Sequence, residues 1–392
     1  MSVGETELLV DCGGGLLRAA LVRDGRLIDL HIDRDDRTLP QAGSVWLGRV
    51  ERIAAGINAA FIDLGAGKAG LLGLSDTRLP NHARPSSGTA IGTLLRCGQA
   101  VLVQVKAEAV GVKGPTLAMD ISLPGRFLVH VPFRRGVTVS KRLGDGPARG
   151  ALTRRLQALT VGDGWIARSG SEALADDGLI VSESEFLALA WRDMERRAGQ
   201  GGAIGCLYPG QDAARRALIG VGVRPLARIA VDAPSGWRDA FAAWCAGMAA
   251  DLAPRLEPAS PRLFERHDLE GQIAALRRPQ VPLLGGAGLV IERTEALIAI
   301  DVNGGERGNP LAVNLEAAGE IARQLRLRNL GGIIVVDFLS MTKRGEGERL
   351  LAALTAAVRD DPVQTEVYGI SRLGLIEMTR ARRGPALTEL MP

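Results

Sequence analysis

The sequence is poor in cysteine, in aromatic residues and in long apolar runs. Its four cysteines, at positions 12, 97, 206 and 245, lie far apart and form no C-x-x-C pair. A zinc knuckle and a redox dithiol are therefore excluded. No stretch approaches about 18 apolar residues without a charge, which excludes a membrane-spanning helix. The opening residues, MSVGETELLVDCGGG, lack the pattern of a secretory signal, so we expect a cytoplasmic location.

Lysine is also scarce and occurs only at positions 68, 106, 113, 141 and 343, although Lys and Arg together number 48. Arginine binds phosphate through a planar fork, so this bias is typical of nucleic-acid binding. A GC-rich genome would produce the same abundance of Arg, Ala and Gly. The chain of 392 residues is 46% hydrophobic and 23% charged, which predicts a folded protein of roughly two to three domains.

Short strands at close spacing begin at Gly43. The segments SVWLGRVERI, AAFIDLG, AGLLGLSD, QAVLVQVKAEA and TLAMDISL follow one another with glycine-rich turns. Five such strands over about 80 residues predict a small Greek-key barrel of the oligonucleotide-binding kind. The polar segment 77–97 is predicted as a loop at its rim.

Residues 125–209 alternate between strand and helix patterns. GRFLVHVPF and GWIARSG are typical of strands. SESEFLALAWRDMERRA has helical periodicity, which places Phe186, Leu189 and Met194 on one side of a helix. The segment 210–278 is predicted to be mostly helical.

The clearest chemical signal lies after residue 279. GLVIERTEALIAIDVN predicts two strands with a tight turn near Arg293 and Thr294, the second strand ending in Asp301-Val302-Asn303. The period of a strand puts Asp301 and Asn303 on the same face. Asn309 and Pro310 are then a plausible N-cap and first residue of a helix.

That helix is followed by an apolar strand that ends in Asp337. A strand–helix–strand unit places its two strands parallel in one sheet, so Asp301 and Asp337 both emerge at carboxyl strand ends. Two adjacent carboxylates repel unless a cation lies between them. Mg²⁺ suits such a position because it takes oxygen ligands and meets substrate phosphates. The alternative from the residues alone is that each Asp is a cap or a turn former.

Several long motifs resemble the ribonuclease E/G family. They are TEALIAIDVN, NLEAAGEIARQLRLRNLGGIIVVDF and ISRLGLIEMTRAR, together with GSVWLGRVERIAAGINAAFIDLGAGKAGLL near the start. The resemblance implies an α/β fold of several subdomains. These are an RNase H-like subdomain (1–42 and 210–278) with an inserted S1 RNA-binding domain of OB-type β-barrel form (43–120), a 5′-sensor subdomain (121–209) and a DNase I-like catalytic subdomain (279–392).

The resemblance also implies the function and its residues. It predicts a Mg²⁺-dependent endoribonuclease that cuts single-stranded RNA in RNA processing or decay, leaving 5′-phosphate and 3′-hydroxyl ends. The family's metal ligands fall on Asp301 and Asp337, and Asn303 falls on the residue that orients the scissile phosphate. Its pocket for a 5′-monophosphate falls on the positions Gly125, Val129, Arg168, Ser169 and Arg372.

In the S1 domain, Phe61 matches an aromatic residue that stacks on RNA bases, and Lys113 matches a basic position that contacts RNA. A second family aromatic falls on Leu71, and Lys106 lies one place from another basic position. The sequence stops at Pro392, before the zinc-link and small domain that usually follow, so homo-oligomerisation is left open. The loop after Asn303 is also short. A non-catalytic RNA-binding protein that keeps the family fold is therefore the alternative.

Overall fold

A computed structural model describes residues 5–34, 39–79, 82–109, 113–139, 147–168, 170–201, 203–359, 361–382 and 384–391. The chain divides into two compact units. The C-terminal unit comprises residues 19–32 and 260–392, and the barrel unit comprises residues 6–18 and 33–259.

The elements up to residue 259 are mainly short strands, with helices in the later part. The strands are β1 (Thr6–Gly13), β2 (Leu16–Arg23), β3 (Arg26–Arg34), β4 (Val45–Ala54), β5 (Ala59–Asp63), β6 (Gly70–Gly73), β7 (Ala100–Ala107), β8 (Thr116–Ala118), β9 (Leu123–Pro124), β10 (Leu128–His130), β11 (Val137–Val139), β12 (Trp165–Ala167), β13 (Gly205–Tyr208), β14 (Arg228–Asp232) and β15 (Leu256–Pro258). The helices are α1 (Ile91–Leu94), α2 (Pro147–Leu159), α3 (Asp177–Gly199), α4 (Ala213–Val221) and α5 (Ser235–Met248).

The remaining elements belong to the C-terminal unit. Its helices are α6 (Leu263–Arg266), α7 (Leu269–Ala275), α8 (Pro310–Leu327), α9 (Glu346–Val358) and α10 (Leu387–Leu390). Its further strands are β16 (Gln280–Pro282), β17 (Gly288–Arg293), β18 (Leu297–Asn303), β19 (Gly332–Asp337), β20 (Thr365–Ile370) and β21 (Ile376–Arg380). Among the helices described in either unit, none has the length and hydropathy needed to cross a bilayer.

Five strands of the barrel unit close into a small barrel. β4 pairs antiparallel with both β5 and β7, so the strand order β4–β5–β6–β8–β7 returns to its start. Alternate side chains point inward and form an apolar interior that includes Val50, Ile62, Leu72, Val103 and Leu117. This arrangement confirms the predicted barrel. The 77–97 segment, predicted as a loop, contains one helical turn, α1.

Next to the barrel in sequence, α3 packs against β10 of a small sheet with the order β11–β12–β10–β9. The helix itself is confirmed, but the side that carries Phe186, Leu189 and Met194 is not buried as a whole, because Met194 is buried and Leu189 is 66% exposed. The buried side chains are those of Ile180, Glu183, Ser184, Leu187, Ala188, Trp191 and Met194. An acidic residue thus lies in the buried stripe, so apolar spacing alone sets the phase of the helix wrongly.

The C-terminal unit contains a sheet with the order β16–β17–β18–β19–β21–β20. β18 and β19 pair parallel and are connected through α8, which confirms the predicted strand–helix–strand unit. As predicted, Asn309 caps α8 by accepting a hydrogen bond from Ala312 N at 3.2 Å, and Pro310 is its first residue. One face of the sheet packs on a core that includes residues of α8 and α9. The opposite face is open, and Ile333 on it is 54% exposed.

Candidate active site

Asp301 and Asp337 stand side by side on the open face of this sheet. They are register partners at the carboxyl ends of β18 and β19, so their Cα atoms lie about 4.8 Å apart. The alternating residues Ile300, Val302 and Val336 are buried in the core. That burial directs both carboxylates outward, since a one-residue slip of either strand would expose the apolar set.

Asn303 joins the pair from the last position of β18. It lies two residues beyond Asp301 on the same face, and its Nδ2 donates to Asp301 Oδ2 at 2.9 Å. In the part of the chain that the structure describes, neither aspartate makes any other hydrogen bond or ion pair. Asp301 Oδ1 and both oxygens of Asp337 are therefore available to a ligand.

The carboxylates border a shallow groove of about 240 Å³ on the open face. Its lining is largely apolar, with one further carboxylate at Glu292; the other lining residues are Val290, Ala299, Ile300, Val335 and Leu375. Both Asp301 and Asp337 are exposed, so a ligand can reach their carboxylates from solvent.

The donor set fits a hard divalent cation. Two neighbouring carboxylates repel each other when no basic side chain pairs with them, as is the case here among the described residues, and a cation between them would remove that repulsion. Within the described ranges, no group of three His, Cys, Asp or Glu side chains is suitably placed to hold a metal. A cation bound by these two carboxylates would therefore complete its coordination with water and substrate oxygens, which is the usual arrangement of Mg²⁺.

The short loop after Asn303 is fixed by an ion pair that sequence reasoning missed. Arg307 Nη1 contacts Glu316 Oε2 on α8 at 2.5 Å, and the second oxygen of Glu316 accepts from Leu284 N at 2.9 Å. These two hydrogen bonds lower the pKa of the Glu316 carboxyl group. A Cβ on Gly305 would lie 2.5 Å from the backbone of Gly286, so the loop needs glycine there. A sequence shows the charges but not this pairing across nine residues.

The residues predicted for the 5′-phosphate pocket fall in both units. In the barrel unit, the antiparallel pairing of β10 and β12 brings Gly125 and Arg168 together, and Arg168 Nη1 donates to Gly125 O at 3.0 Å. Val129 lies on β10 and is half-buried, whereas Ser169 lies outside the described residues. Arg372 belongs to the C-terminal unit and is exposed in the turn between β20 and β21.

On the barrel, the predicted stacking residue Phe61 is half-buried on β5, with Arg52 and Leu71 as its register partners. The Arg52 guanidinium lies over the Phe61 ring, 4.2 Å from its centroid. One face of the ring is thus covered by a cation, which sequence reasoning missed. Lys113 is exposed, whereas Lys106 pairs with Asp76 at 2.8 Å.

The amino-acid sequence of this chain is similar to those of several known proteins. Ribonuclease G of Salmonella typhimurium is 33% identical over 394 residues, covering 96% of this chain and 80% of that protein. Ribonuclease G of Escherichia coli is 33% identical over 403 residues, or 98% of this chain and 81% of that protein. Ribonuclease E of Synechocystis is 35% identical over 367 residues, or 89% of this chain and 53% of that protein.

A family model supports the same relationship. The model described as "Ribonuclease E/G family" matches residues 122–383, which include the aspartate pair and the whole sheet that carries it. The match extends over more than half of the chain, and the relatives extend it through the barrel to nearly the full length. The chain therefore belongs to the ribonuclease E/G family.

Proposed function

We propose that this protein is a Mg²⁺-dependent endoribonuclease that cleaves single-stranded RNA in RNA processing or decay. The observation that carries this proposal is the register pairing of Asp301 and Asp337 on an open groove, in a chain whose relatives are named ribonucleases. Such an enzyme is a hydrolase acting on RNA phosphodiester bonds. Its expected location in the cytoplasm stays a prediction.

In the proposed mechanism, Asp301 and Asp337 are the residues that would hold Mg²⁺. When bound, the cation would neutralise charge on the phosphate and favour ionisation of water. Asn303 keeps Asp301 in position through its hydrogen bond of 2.9 Å, and we assign to its amide the role of orienting the scissile phosphate. A water oxygen bonds to phosphorus as the P–O3′ bond breaks. The phosphate then stays on the 5′ end of one fragment, and the other fragment takes a proton at its 3′ oxygen.

RNA binding is assigned to the barrel as an S1 RNA-binding domain over 43–120. Phe61 offers one ring face to a base, a contact worth about 1–3 kcal/mol, while Arg52 supports the other face. Lys113 adds a charge for the RNA backbone. The other parts of the proposal are an RNase H-like subdomain (1–42 and 210–278), a 5′-sensor subdomain (121–209) and a DNase I-like catalytic subdomain (279–392).

The proposal includes recognition of an RNA 5′-monophosphate. Gly125, Val129, Arg168, Ser169 and Arg372 are assigned to this pocket. The contact between Arg168 and Gly125 O supports the grouping of these two residues, and an Arg fork forms strong, bidentate hydrogen bonds to phosphate.

The test is cleavage of a fluorogenic single-stranded RNA by the purified protein, with Mg²⁺ and with EDTA. We expect cleavage with Mg²⁺ only, and products with 5′-phosphate and 3′-hydroxyl ends. Asp301→Asn should abolish it, whereas Glu295→Gln, which removes an exposed charge from the turn before β18, should leave it unchanged. Equal cleavage by the parent and Asp301→Asn would contradict the assignment.

A non-catalytic RNA-binding protein is the second candidate. It is favoured by the short loop after Asn303, which follows directly on the aspartate site, together with Leu71, which stands where the family has a second stacking aromatic. The same preparation separates the two. Tight binding of the RNA with no cutting under any divalent cation would support the second candidate.

A further inference from the structure

Glu183 is a buried acidic residue that the proposed mechanism does not use. It lies on α3 and is 1% exposed. Its Oε1 accepts hydrogen bonds from Phe127 N at 3.0 Å and Leu128 N at 2.7 Å, and its Oε2 accepts from Arg126 N at 2.8 Å. One side chain thus binds three successive backbone N–H groups of the 125–128 loop.

The loop continues this connection to Arg168. Gly125 O accepts from Arg168 Nη1 at 3.0 Å, and Phe127 O accepts from Arg168 N at 2.8 Å. Gly125 N in turn donates to Leu128 O at 2.8 Å, which closes the loop on itself. The carboxylate therefore determines where the Gly125 carbonyl stands, and that carbonyl holds one arm of the Arg168 guanidinium.

Gly125 also fits closely against Glu183. A Cβ at this position would lie 2.3 Å from Glu183 Oε1, far inside van der Waals contact. Glycine is thus required because the carboxylate approaches the backbone here. The sequence motif LPGRFL and the acid on α3 form one packed unit.

A simple ion pair with Arg126 does not account for Glu183. The Arg126 guanidinium is directed elsewhere, to Asp251 Oδ1 at 2.5 Å and to Gly222 O at 2.9 Å. Burial raises the pKa of Glu183 to about 7, against the opposing effect of the three backbone N–H groups and of Arg126. Burying a carboxylate is unfavourable unless its hydrogen bonds are satisfied, and here they are satisfied by the loop.

We propose that Glu183 is a positioning residue for recognition of the RNA 5′ end, which it serves by fixing the 125–128 loop and, through Gly125 O, the Arg168 guanidinium. This inference rests on the proposed 5′-phosphate pocket. Glu183 does not touch the phosphate. It acts on the guanidinium through the hydrogen bond from Arg168 Nη1 to Gly125 O, which restricts the orientation of the side chain, so that less conformational entropy is lost when the phosphate binds.

The experiment compares cleavage of one RNA carrying either a 5′-monophosphate or a 5′-hydroxyl. The variants are Glu183→Gln and Glu183→Asp, with Glu185→Gln as the matched control because Glu185 is exposed on the same helix. Gln replaces one acceptor by a donor that faces Arg126 N, and Asp is shorter by one methylene. For both we expect the preference for the phosphorylated RNA to fall about fivefold while cleavage of the hydroxyl RNA stays within about twofold. Glu185→Gln should cleave both RNAs at the same rates as the parent.

A parent preference that persists unchanged in folded Glu183→Gln would overturn the inference and leave the pocket standing. Equal loss on both RNAs would also overturn it, because it would show a purely structural role. If Glu183→Gln does not fold, Glu183→Asp decides the matter by the same ratio. A parent with no preference at all would refute the pocket itself and the inference with it.

Discussion

Asp301 and Asp337 lie on an open sheet face with oxygens that no other described residue engages, whereas Glu183 is enclosed and its oxygens accept from backbone donors. Both arrangements are built from carboxylates on regular elements. They differ in what satisfies the carboxylate oxygens. An external ligand would do so for Asp301 and Asp337, whereas the protein backbone does so for Glu183. A carboxylate with unused acceptors is suited to a cation, while one with satisfied acceptors fixes the chain.

The two regions also differ in what they contribute to stability. Adjacent like charges at the end of β18 and β19 oppose folding, as is common where function needs an unfavourable arrangement. Removing Glu183 would instead leave three buried N–H groups without acceptors, and each such group costs about 1–3 kcal/mol. Substitutions in the two regions should therefore separate activity from stability.

The largest expected effect concerns cleavage. Asp301→Asn and Asp337→Asn should each reduce kcat/KM by about 10²-fold or more, and the double variant should lose little beyond either single one, because both act through one cation. The free energy of unfolding of each should equal or exceed that of the parent. Losses that multiply in the double variant would indicate two independent roles, which initial-rate measurements can detect.

The next effect in size is the loss of stability caused by Glu183→Ala. We expect its free energy of unfolding to fall by about 3 kcal/mol or more, because backbone donors and packing volume are lost together. In the same urea titrations, the free energy of unfolding of Asp301→Ala should differ from that of the parent by less than about 0.5 kcal/mol. If the two variants lost similar amounts of unfolding free energy, the proposed difference between the two regions would be contradicted. Such a result would mean that the N–H groups of the 125–128 loop find other acceptors.

A pH dependence of comparable size is also expected, because a rise in pKa from 4.5 to about 7 corresponds to about 3 kcal/mol. Glu183 has a pKa of about 7 in the folded protein against 4.5 as its ordinary value, so the folded state binds its proton more tightly than the unfolded state. Its contribution to stability is therefore complete below pH 4.5 and is lost as the pH rises through about 7. The difference in unfolding free energy between the parent and Glu183→Gln should follow this slope. A difference that is flat from pH 4.5 to pH 8 would contradict it.

Much of the catalytic region could be predicted from the sequence because its signals are local. An apolar run that ends in Asp301, a capped helix from Pro310 and a second run that ends in Asp337 fix the strand directions and the outward faces. The crossover rule then brings both aspartates to one edge. The loop anchored by Arg307 and Glu316 could not be predicted, because ion pairing depends on the path of the loop in space.

In α3 the sequence determined the helix but not its buried side. Apolar spacing pointed to Leu189, which is exposed, and passed over Glu183, which is buried. The spacing of apolar residues along a helix reflects how each type of side chain partitions between water and the protein interior on average. Whether one polar side chain is buried depends on a distant segment that supplies its hydrogen bonds. Here that segment is the 125–128 loop, more than 50 residues away in sequence, and only tertiary packing brings its N–H groups to the carboxylate.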